Sequence, residues 1–306
     1  MKNVALIYDD IFLKHETPQW HPETKERLIS ILNTLKNSEL WERLIHIKPP
    51  KADYENIALV HTNSYIEKIK KFGVGYLDGD TYMSKDSLEA ALYAAGAVIG
   101  AVERCRKNEI DRAFCVVRPP GHHAEADRAM GFCIFNNVAV GARYAQKIGY
   151  KKVFIIDFDV HHGNGTQHIF EEDDTVFYFS THQYPHYPGT GKETERGRGK
   201  GEGYTYNSCM RAGSGDKEYI HVYQDILPQI LKEFEPDILL VSAGYDICRE
   251  DPLSAIKVSR EGVREIVQGI LSCSSTIPAI FTLEGGYDLD ALGEAVRITI
   301  EEMLKF

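Results

Sequence analysis

From Val153 onward an apolar run passes directly into Asp157-Phe-Asp159-Val-His161-His-Gly-Asn164. Residues two apart in an extended chain point to one side. Asp157, Asp159 and His161 can therefore face one point just beyond a strand. Carboxylate oxygen together with imidazole nitrogen suits a borderline divalent cation such as zinc, and a further acidic residue on that face can support the ligands. Asp246 is the third candidate ligand, because it follows a second apolar run and the small-residue turn Ser242-Ala-Gly-Tyr. Three protein ligands leave a coordination place for water and a substrate carbonyl. Two carboxylates nearly neutralise a dication, so a water held there is less acidic than at an all-histidine site, and a separate general base is needed. The competing readings are a strand-end hydrogen-bond network for Asp159 and His161 and a helix N-cap for Asp246.

The base is expected from His122 and His123, which follow the rigid turn Arg118-Pro-Pro-Gly121. Two imidazoles offer one proton acceptor and one donor near neutral pH. Each needs a partner on its far nitrogen, and Asp157 and Asn164 are the candidates. Tyr287, after Gly285-Gly286, can donate a hydrogen bond to an oxyanion opposite the metal. Phe132, in Gly131-Phe-Cys133, and Tyr187, in Tyr187-Pro-Gly-Thr-Gly191, are candidate walls of a narrow channel. Aromatic residues elsewhere in a chain with 17 Tyr and 13 Phe belong to the core by default. His46, His168 and His221 read as surface or capping residues. His15, His21, His61, His182 and His186 are candidates for the mouth. The basic stretch Arg196-Gly-Arg-Gly-Lys-Gly201 lacks the phosphate-loop pattern and reads as a solvated loop.

These residues need a scaffold. Short apolar runs predict strands at 3–8, 112–117, 152–158, 175–180, 238–243 and 279–283. The intervening periodicity predicts helices at 22–36, 53–58, 62–70, 86–107, 136–147, 165–171, 217–234, 259–273 and 289–304. Unalternated apolar strands between helices indicate a parallel sheet covered on both faces, and in such folds sites gather at the carboxyl ends of strands. Five of the runs deliver the His-His turn, the Asp/His cluster, the 180–191 loop, Asp246 and Tyr287 to one edge.

With 306 residues, 43% of them hydrophobic, the chain suffices for one large domain over 1–306. A net charge of −10 argues against a general nucleic-acid binder and is compatible with a cationic substrate. Six cysteines without a CxxC pattern read as free thiols of a reducing compartment. The first apolar run, Asn3 to Tyr8, is too short and too soon acidic for a signal peptide, and no run approaches a membrane span. A cytoplasmic location is expected.

Arg118-Pro-Pro-Gly-His-His-Ala124, Gly131-Phe-Cys-Ile-Phe-Asn-Asn137, Asp157-Phe-Asp-Val-His-His-Gly-Asn-Gly165, Tyr187-Pro-Gly-Thr-Gly191, Gly244-Tyr-Asp246 and Glu284-Gly-Gly-Tyr287 together resemble the zinc-dependent histone deacetylase family, which includes acetylpolyamine amidohydrolases and acetoin-utilisation proteins. The resemblance runs from His21-Pro-Glu23 to Tyr287 and covers one catalytic domain. It implies the arginase/deacetylase fold, an eight-stranded parallel sheet flanked by helices, and hydrolysis of an N-acyl amine. It implies Asp159, His161 and Asp246 as zinc ligands, with ferrous iron as the alternative metal. His123 then corresponds to the base oriented by Asn164, and His122 to its charged partner held by Asp157. Tyr287 polarises the carbonyl, Phe132 and Tyr187 wall the channel beside Gly131, and Leu253 stands at the rim. Asp80, or alternatively Asp78, matches an acidic residue that grips substrate backbone. A structural potassium ion would use Asp157, Ser180 and the backbones of Asp159, His161 and Thr181. A second monovalent site would fall near Phe170, Asp173, Val176 and Tyr204. Asn164, where many members carry Asp, makes the chain look like class II and prokaryotic members and leaves His123 less basic.

The expected function is removal of an acyl group, most simply acetyl, from lysine side chains or a similar amine by metal-activated water. The apolar Leu253 favours acyl-lysine over an acetylpolyamine. A non-catalytic acyl-amine binder and a binuclear arginase-like hydrolase are the readings from other classes.

Overall fold

The computed structural model describes residues 2–306. Among the described residues ten strands occur, β1 Val4–Ile7, β2 Ile45–Ile47, β3 Gly75–Tyr76, β4 Tyr82–Met83, β5 Arg112–Cys115, β6 Val153–Asp157, β7 Val176–Gln183, β8 Thr205–Met210, β9 Ile238–Ala243 and β10 Ala279–Leu283. Eight of them form one sheet in the order β2-β1-β5-β10-β9-β6-β7-β8, and every neighbouring pair is parallel. β3 and β4 form a separate antiparallel hairpin. This is the eight-stranded arginase/deacetylase architecture that the motifs implied.

The parallel pattern follows from burial. β1, β5, β6, β7, β9 and β10 are buried at every position, as strands covered on both faces must be. The six expected strands all form. β2 and β8 were not among them. β2 is three residues, Ile-His-Ile, two of them exposed, and β8 is the polar sequence Thr-Tyr-Asn-Ser-Cys-Met. Both are edge strands, which lack a second neighbour and so carry no continuous apolar signature. His46 therefore sits in an edge strand.

Helices α1 Glu26–Lys36, α2 Tyr54–Ile57, α3 Asn63–Phe72, α4 Ser87–Arg106, α5 Asn137–Lys147, α6 Asn164–Phe170, α7 Asp216–Ile220, α8 Leu227–Phe234, α9 Arg260–Ser272 and α10 Leu289–Lys305 fill the connections. The sequence marks several starts by side-chain caps. Asn136 accepts from Ala139 N at 3.0 Å, Ser259 from Gly262 N at 3.1 Å and Asp288 from Ala291 N at 2.8 Å, each worth about 1 kcal/mol. The helix expected over 217–234 is interrupted, with a π-helical turn at His221–Ile226 between α7 and α8. That turn aims Tyr223, whose hydroxyl meets Thr181 Oγ1 at 2.8 Å.

α4, α5 and α6 pack along the sheet from β5 to β7, while α1, α10, α9 and α7 form a second contiguous row. A separate apolar cluster (Ile57, Tyr65, Ile66, Ile69, Met83, Leu92, Ile134, Phe135) lies between α3, α4 and the segment before α5. It seats the β3–β4 hairpin and the Gly131–Phe132 turn beside the carboxyl edge of the sheet.

Candidate active site

The five strands whose loops carry the chemistry are consecutive in the sheet, β5-β10-β9-β6-β7. Their carboxyl ends deliver five loops to one hollow.

Asp159, His161 and Asp246 are buried, and one ligand atom from each lies within 4.8 Å of the others. His161 Nδ1 is 3.1 Å from Asp159 Oδ1 and 3.1 Å from Asp246 Oδ2. Their other oxygens are tied to backbone, with Gly285 N donating to Asp159 Oδ2 at 2.8 Å and Val160 N to Asp246 Oδ1 at 2.9 Å. A Cβ on Gly285 would stand 2.2 Å from Asp246 Oδ2 and 2.6 Å from Asp159 Oδ2. Only glycine lets the Tyr287 loop close over both carboxylates. Burial, then the neighbouring Asp159 charge, raises the Asp246 pKa to about 7. Burial disfavours the His161 cation, but its bonds to Asp159 and Asp246 prevail and raise its pKa to about 10. Two buried carboxylates thus compete for one positive partner, the electrostatic condition that a dication relieves. Nitrogen and oxygen donors at this spacing fit zinc or ferrous iron.

Behind this trio the two histidines are oriented separately. His122 Nδ1 donates to Asp157 Oδ2 at 3.0 Å, and Tyr178 donates to the same oxygen at 3.1 Å. Burial disfavours the imidazolium of His122, but the charges of Asp157, Asp159 and Glu284 outweigh it and raise its pKa to about 10. His123 Nδ1 meets Asn164 Oδ1 at 2.8 Å. Asn164 Nδ2 donates to Glu125 Oε1 at 2.6 Å, which fixes its oxygen toward His123. His123 Nδ1 therefore carries the proton, and Nε2 is left as acceptor. Burial, followed by the positive charges of His122 and His161, holds its pKa well below 6.5.

A cavity of about 90 Å³ is lined by Asp80, His122, His123, Gly131, Phe132, His161, Tyr187, Leu253, Gly285 and Tyr287. Gly131 and Phe132 both have positive φ, 58° and 69°. A Cβ on Gly131 would meet His123 Cδ2 at 2.4 Å, so glycine here allows the turn to lie against the His123 ring. Phe132 is strained in that conformation, held by the Thr81 hydroxyl accepting from its N–H at 3.1 Å. Tyr187 stands edge-on to His123, ring centres 5.1 Å apart, and Tyr287 edge-on to Phe132 at 6.1 Å. Burial keeps the Tyr287 phenol protonated, its pKa raised well above 10. A larger cavity, about 720 Å³, lies beside the amino ends of β7 and β8 and holds none of these groups.

Sequence reading left several supporting residues without roles. Glu284, buried, accepts from Gly121 N at 2.7 Å, His122 N at 3.2 Å and Ser242 Oγ at 3.1 Å, so it ties the His-His turn to β9. Arg27 donates through Nε to Gly286 O at 2.7 Å and through Nη2 to Glu284 O at 2.5 Å. Its guanidinium lies 5.0 Å from the Tyr287 ring centre and pairs with Glu23 at 3.0 Å. Glu23 also holds Arg118, through two bonds to its carboxylate and one to its carbonyl. Asp251 accepts from Tyr287 N at 2.6 Å and Leu253 N at 2.9 Å. The sequence signal for Arg27 is its spacing of four from Glu23 within the helix expected over 22–36; in the structure α1 begins only at Glu26.

Of the mouth candidates, His21 contacts Phe132 edge-on at 4.6 Å and His186 stacks on His161 at 5.1 Å. His15, His61 and His182 are buried elsewhere. They bond Ser87 Oγ at 2.7 Å, Asn136 N at 2.9 Å and Ser180 Oγ at 2.8 Å. The Ser180 and Thr181 hydroxyls are thus engaged by His182 and Tyr223. At the second suggested monovalent site the Asp173 carboxylate pairs with Arg143.

A model of the histone deacetylase domain matches residues 21–303. The chain belongs to the histone deacetylase family. A probable deacetylase of Archaeoglobus fulgidus is 38% identical over 296 residues, covering 94% of this chain and 82% of that one. Histone deacetylase 5 of Arabidopsis thaliana is 36% identical over 99% of this chain, which spans only 49% of that longer protein. Among solved structures, the crystal structure of the HDA15 HD domain superposes with a TM-score of 0.93 at 36% identity, covering 99% of this chain and 91% of that one. Histone deacetylase family membership supports deacetylase activity. Among the described residues no helix is long and apolar enough to cross a membrane, and the six cysteines are unpaired.

Proposed function

We propose that this protein is a metal-dependent amidohydrolase that removes acyl groups, in the first place acetyl, from lysine side chains of proteins or peptides. The reading rests on one observation, the convergence of Asp159, His161 and Asp246 with the His122–Asp157 and His123–Asn164 pairs and Tyr287 at a single cavity. Asp159, His161 and Asp246 would hold zinc, or ferrous iron in its place. When bound, the ion supplies Lewis acidity toward the acyl carbonyl and acidifies the attacking water. His123 Nε2 accepts a proton from that water. The Tyr287 phenol donates to the carbonyl oxygen as negative charge develops there. His122, held as the charged partner by Asp157, supplies positive charge beside the base and a proton for the departing amine. Phe132 and Tyr187 sandwich the aliphatic stem and exclude water, with Gly131 between them and the base. Leu253 presents an apolar rim, and Asp80 faces the same cavity as a grip for substrate amides.

Asp157, Ser180 and the backbones of Asp159, His161 and Thr181 would hold a structural potassium ion. The unpaired cysteines support a reducing, cytoplasmic setting. An acetylpolyamine is the alternative substrate, and a side-by-side kcat/KM comparison separates the two.

The test is hydrolysis of an acetyl-lysine peptide by zinc-loaded protein. His123→Ala and Tyr287→Phe are each expected to cut turnover about 10²- to 10⁴-fold while metal content stays at one ion per chain. Unchanged rates in both variants would remove the assigned roles, and two transition-metal ions per chain would favour a binuclear hydrolase.

A further inference from the structure

Behind the channel wall Phe132 an aromatic row runs through buried His21 to an exposed shelf that the proposed chemistry does not use. His21 packs edge-on against the channel wall Phe132 at 4.6 Å, and its Nε2 meets the Asp80 carbonyl at 2.9 Å. The adjacent Trp20 is 73% exposed. A single exposed apolar side chain needs no explanation, but Trp20 is not single. Its indole stacks on Tyr76, ring centres 6.4 Å and planes 16° apart. Tyr76 is itself 40% exposed and is braced by Tyr82, its partner across the hairpin, at 5.0 Å. Neighbouring Val74 is 61% exposed.

The turn of that hairpin carries two carboxylates. Asp78 Oδ1 accepts from Asp80 N at 3.1 Å and Thr81 N at 2.7 Å. Asp80 Oδ1 accepts from Gly131 N at 3.2 Å and Thr81 Oγ1 at 3.2 Å. These bonds fix the turn and use one oxygen of each carboxylate. Among the described residues no lysine, arginine or histidine nitrogen pairs with either. Burial, and then the Asp78 charge, raises the Asp80 pKa, as expected of two anions that share a turn without a counter-ion. Exposed π-faces beside unneutralised carboxylates attract a cation.

Distance selects its carrier. The shelf lies beyond Phe132 by ring-to-ring steps of 4.6 Å to His21 and 6.0 Å to Trp20. Three extended residues at about 3.3–3.6 Å each span that path, and two suffice once the length of an arginine or lysine side chain is added. We propose that Trp20, Tyr76 and Asp78 form a rim subsite for an arginine or lysine side chain two or three residues from the acyl-lysine of a peptide substrate. The protein then selects basic segments over neutral or acidic ones. The inference rests on the acyl-lysine reading above and names the substrate class within it.

Matched acyl-lysine peptides with Arg, Ala or Glu at the second and third positions on either side test it, by kcat/KM of the zinc-loaded protein. The wild type is expected to favour Arg over Ala about three- to ten-fold, chiefly through KM, and to disfavour Glu. Trp20→Ala should bring the Arg/Ala ratio close to one, and Trp20→Phe should keep most of it. Asp78→Asn should lower the ratio and its sensitivity to salt. Because the ratio is taken within each variant, a general loss of activity cancels. Equal rates for the three peptides in the wild type, or a preference that survives Trp20→Ala, overturn the subsite. If no peptide is cleaved, the acyl-lysine reading fails separately, and the shelf is read by fluorescence with the unacylated Arg peptide. The chain has two tryptophans, so Trp41 is the internal background. A peptide-dependent change in emission that Trp20→Ala abolishes supports the subsite, and unchanged emission in the wild type overturns it.

Discussion

At the scale of single residues, the partner of His123 decides how basic that histidine is. Asn164 offers a dipole where a carboxylate would offer a charge. The structure supplies a reason for the amide. Asn164 Nδ2 donates to Glu125 Oε1 at 2.6 Å, and His168 Nδ1 meets the same oxygen at 2.9 Å. An aspartate at 164 would press two carboxylates together. Asn164→Asp is therefore expected to lower the melting temperature, and Glu125→Gln added to it should recover much of the loss. The coupling in a double-mutant cycle should lie within about 0.5–3 kcal/mol. Independent effects of the two changes would dismiss this account. At the trio, Asp246→Ala should abolish stoichiometric zinc uptake, read by metal analysis after dialysis, whereas Tyr287→Phe should leave uptake intact. Equal uptake by Asp246→Ala and wild type would mean that the ion sits elsewhere.

At the scale of elements, the loop after β10 is clamped from both sides. Arg27, from the first turn of α1, takes the carbonyls of Glu284 and Gly286. Asp251, from the loop after β9, takes the N–H groups of Tyr287 and Leu253. Neither clamp shows in the local pattern, since each joins segments remote in sequence. Asp251→Ala should free the tyrosine loop. A fall in kcat of about ten-fold or more is expected, because a displacement of about 1 Å at a catalytic group can cost 10²-fold, with zinc content unchanged. Full kcat in Asp251→Ala would show that the loop holds its place without it. The interruption of the 217–234 helix was equally hidden. Its apolar periodicity runs through the π turn at His221–Ile226, and the wide turn shows only where Tyr223 reaches Thr181.

At the scale of the whole molecule, two histidines outside the reaction couple folding to pH. Burial lowers the pKa of His61 to about 4 and of His182 to about 4, against about 6.5 in the unfolded chain. Between those values the unfolded chain binds more protons, so stability rises with pH through the window and is fully present above 6.5. As pH falls toward about 4, each histidine is expected to withdraw up to about 3 kcal/mol. Urea midpoints across this range should fall for the wild type and fall less steeply for His61→Gln. A parallel decline in both would assign the acid sensitivity to other groups.

The sequence by itself determined which strands are interior and which loops carry the candidate site residues. Buried parallel strands must be apolar along their whole length, and polar side chains at their carboxyl ends break that run abruptly, as Asp157 breaks Val153–Ile156. It also determined the family, because six motifs recur in order. Tertiary structure alone decided the strand order, which sets β5, β10, β9, β6 and β7 side by side and so gathers Asp246 and Tyr287 to Asp159 and His161. It also decided the edge strands β2 and β8, the clamps on the Tyr287 loop and the shelf of Trp20 on Tyr76. These depend on contacts between residues far apart along the chain, and local periodicity carries no information about which distant surface a residue will meet.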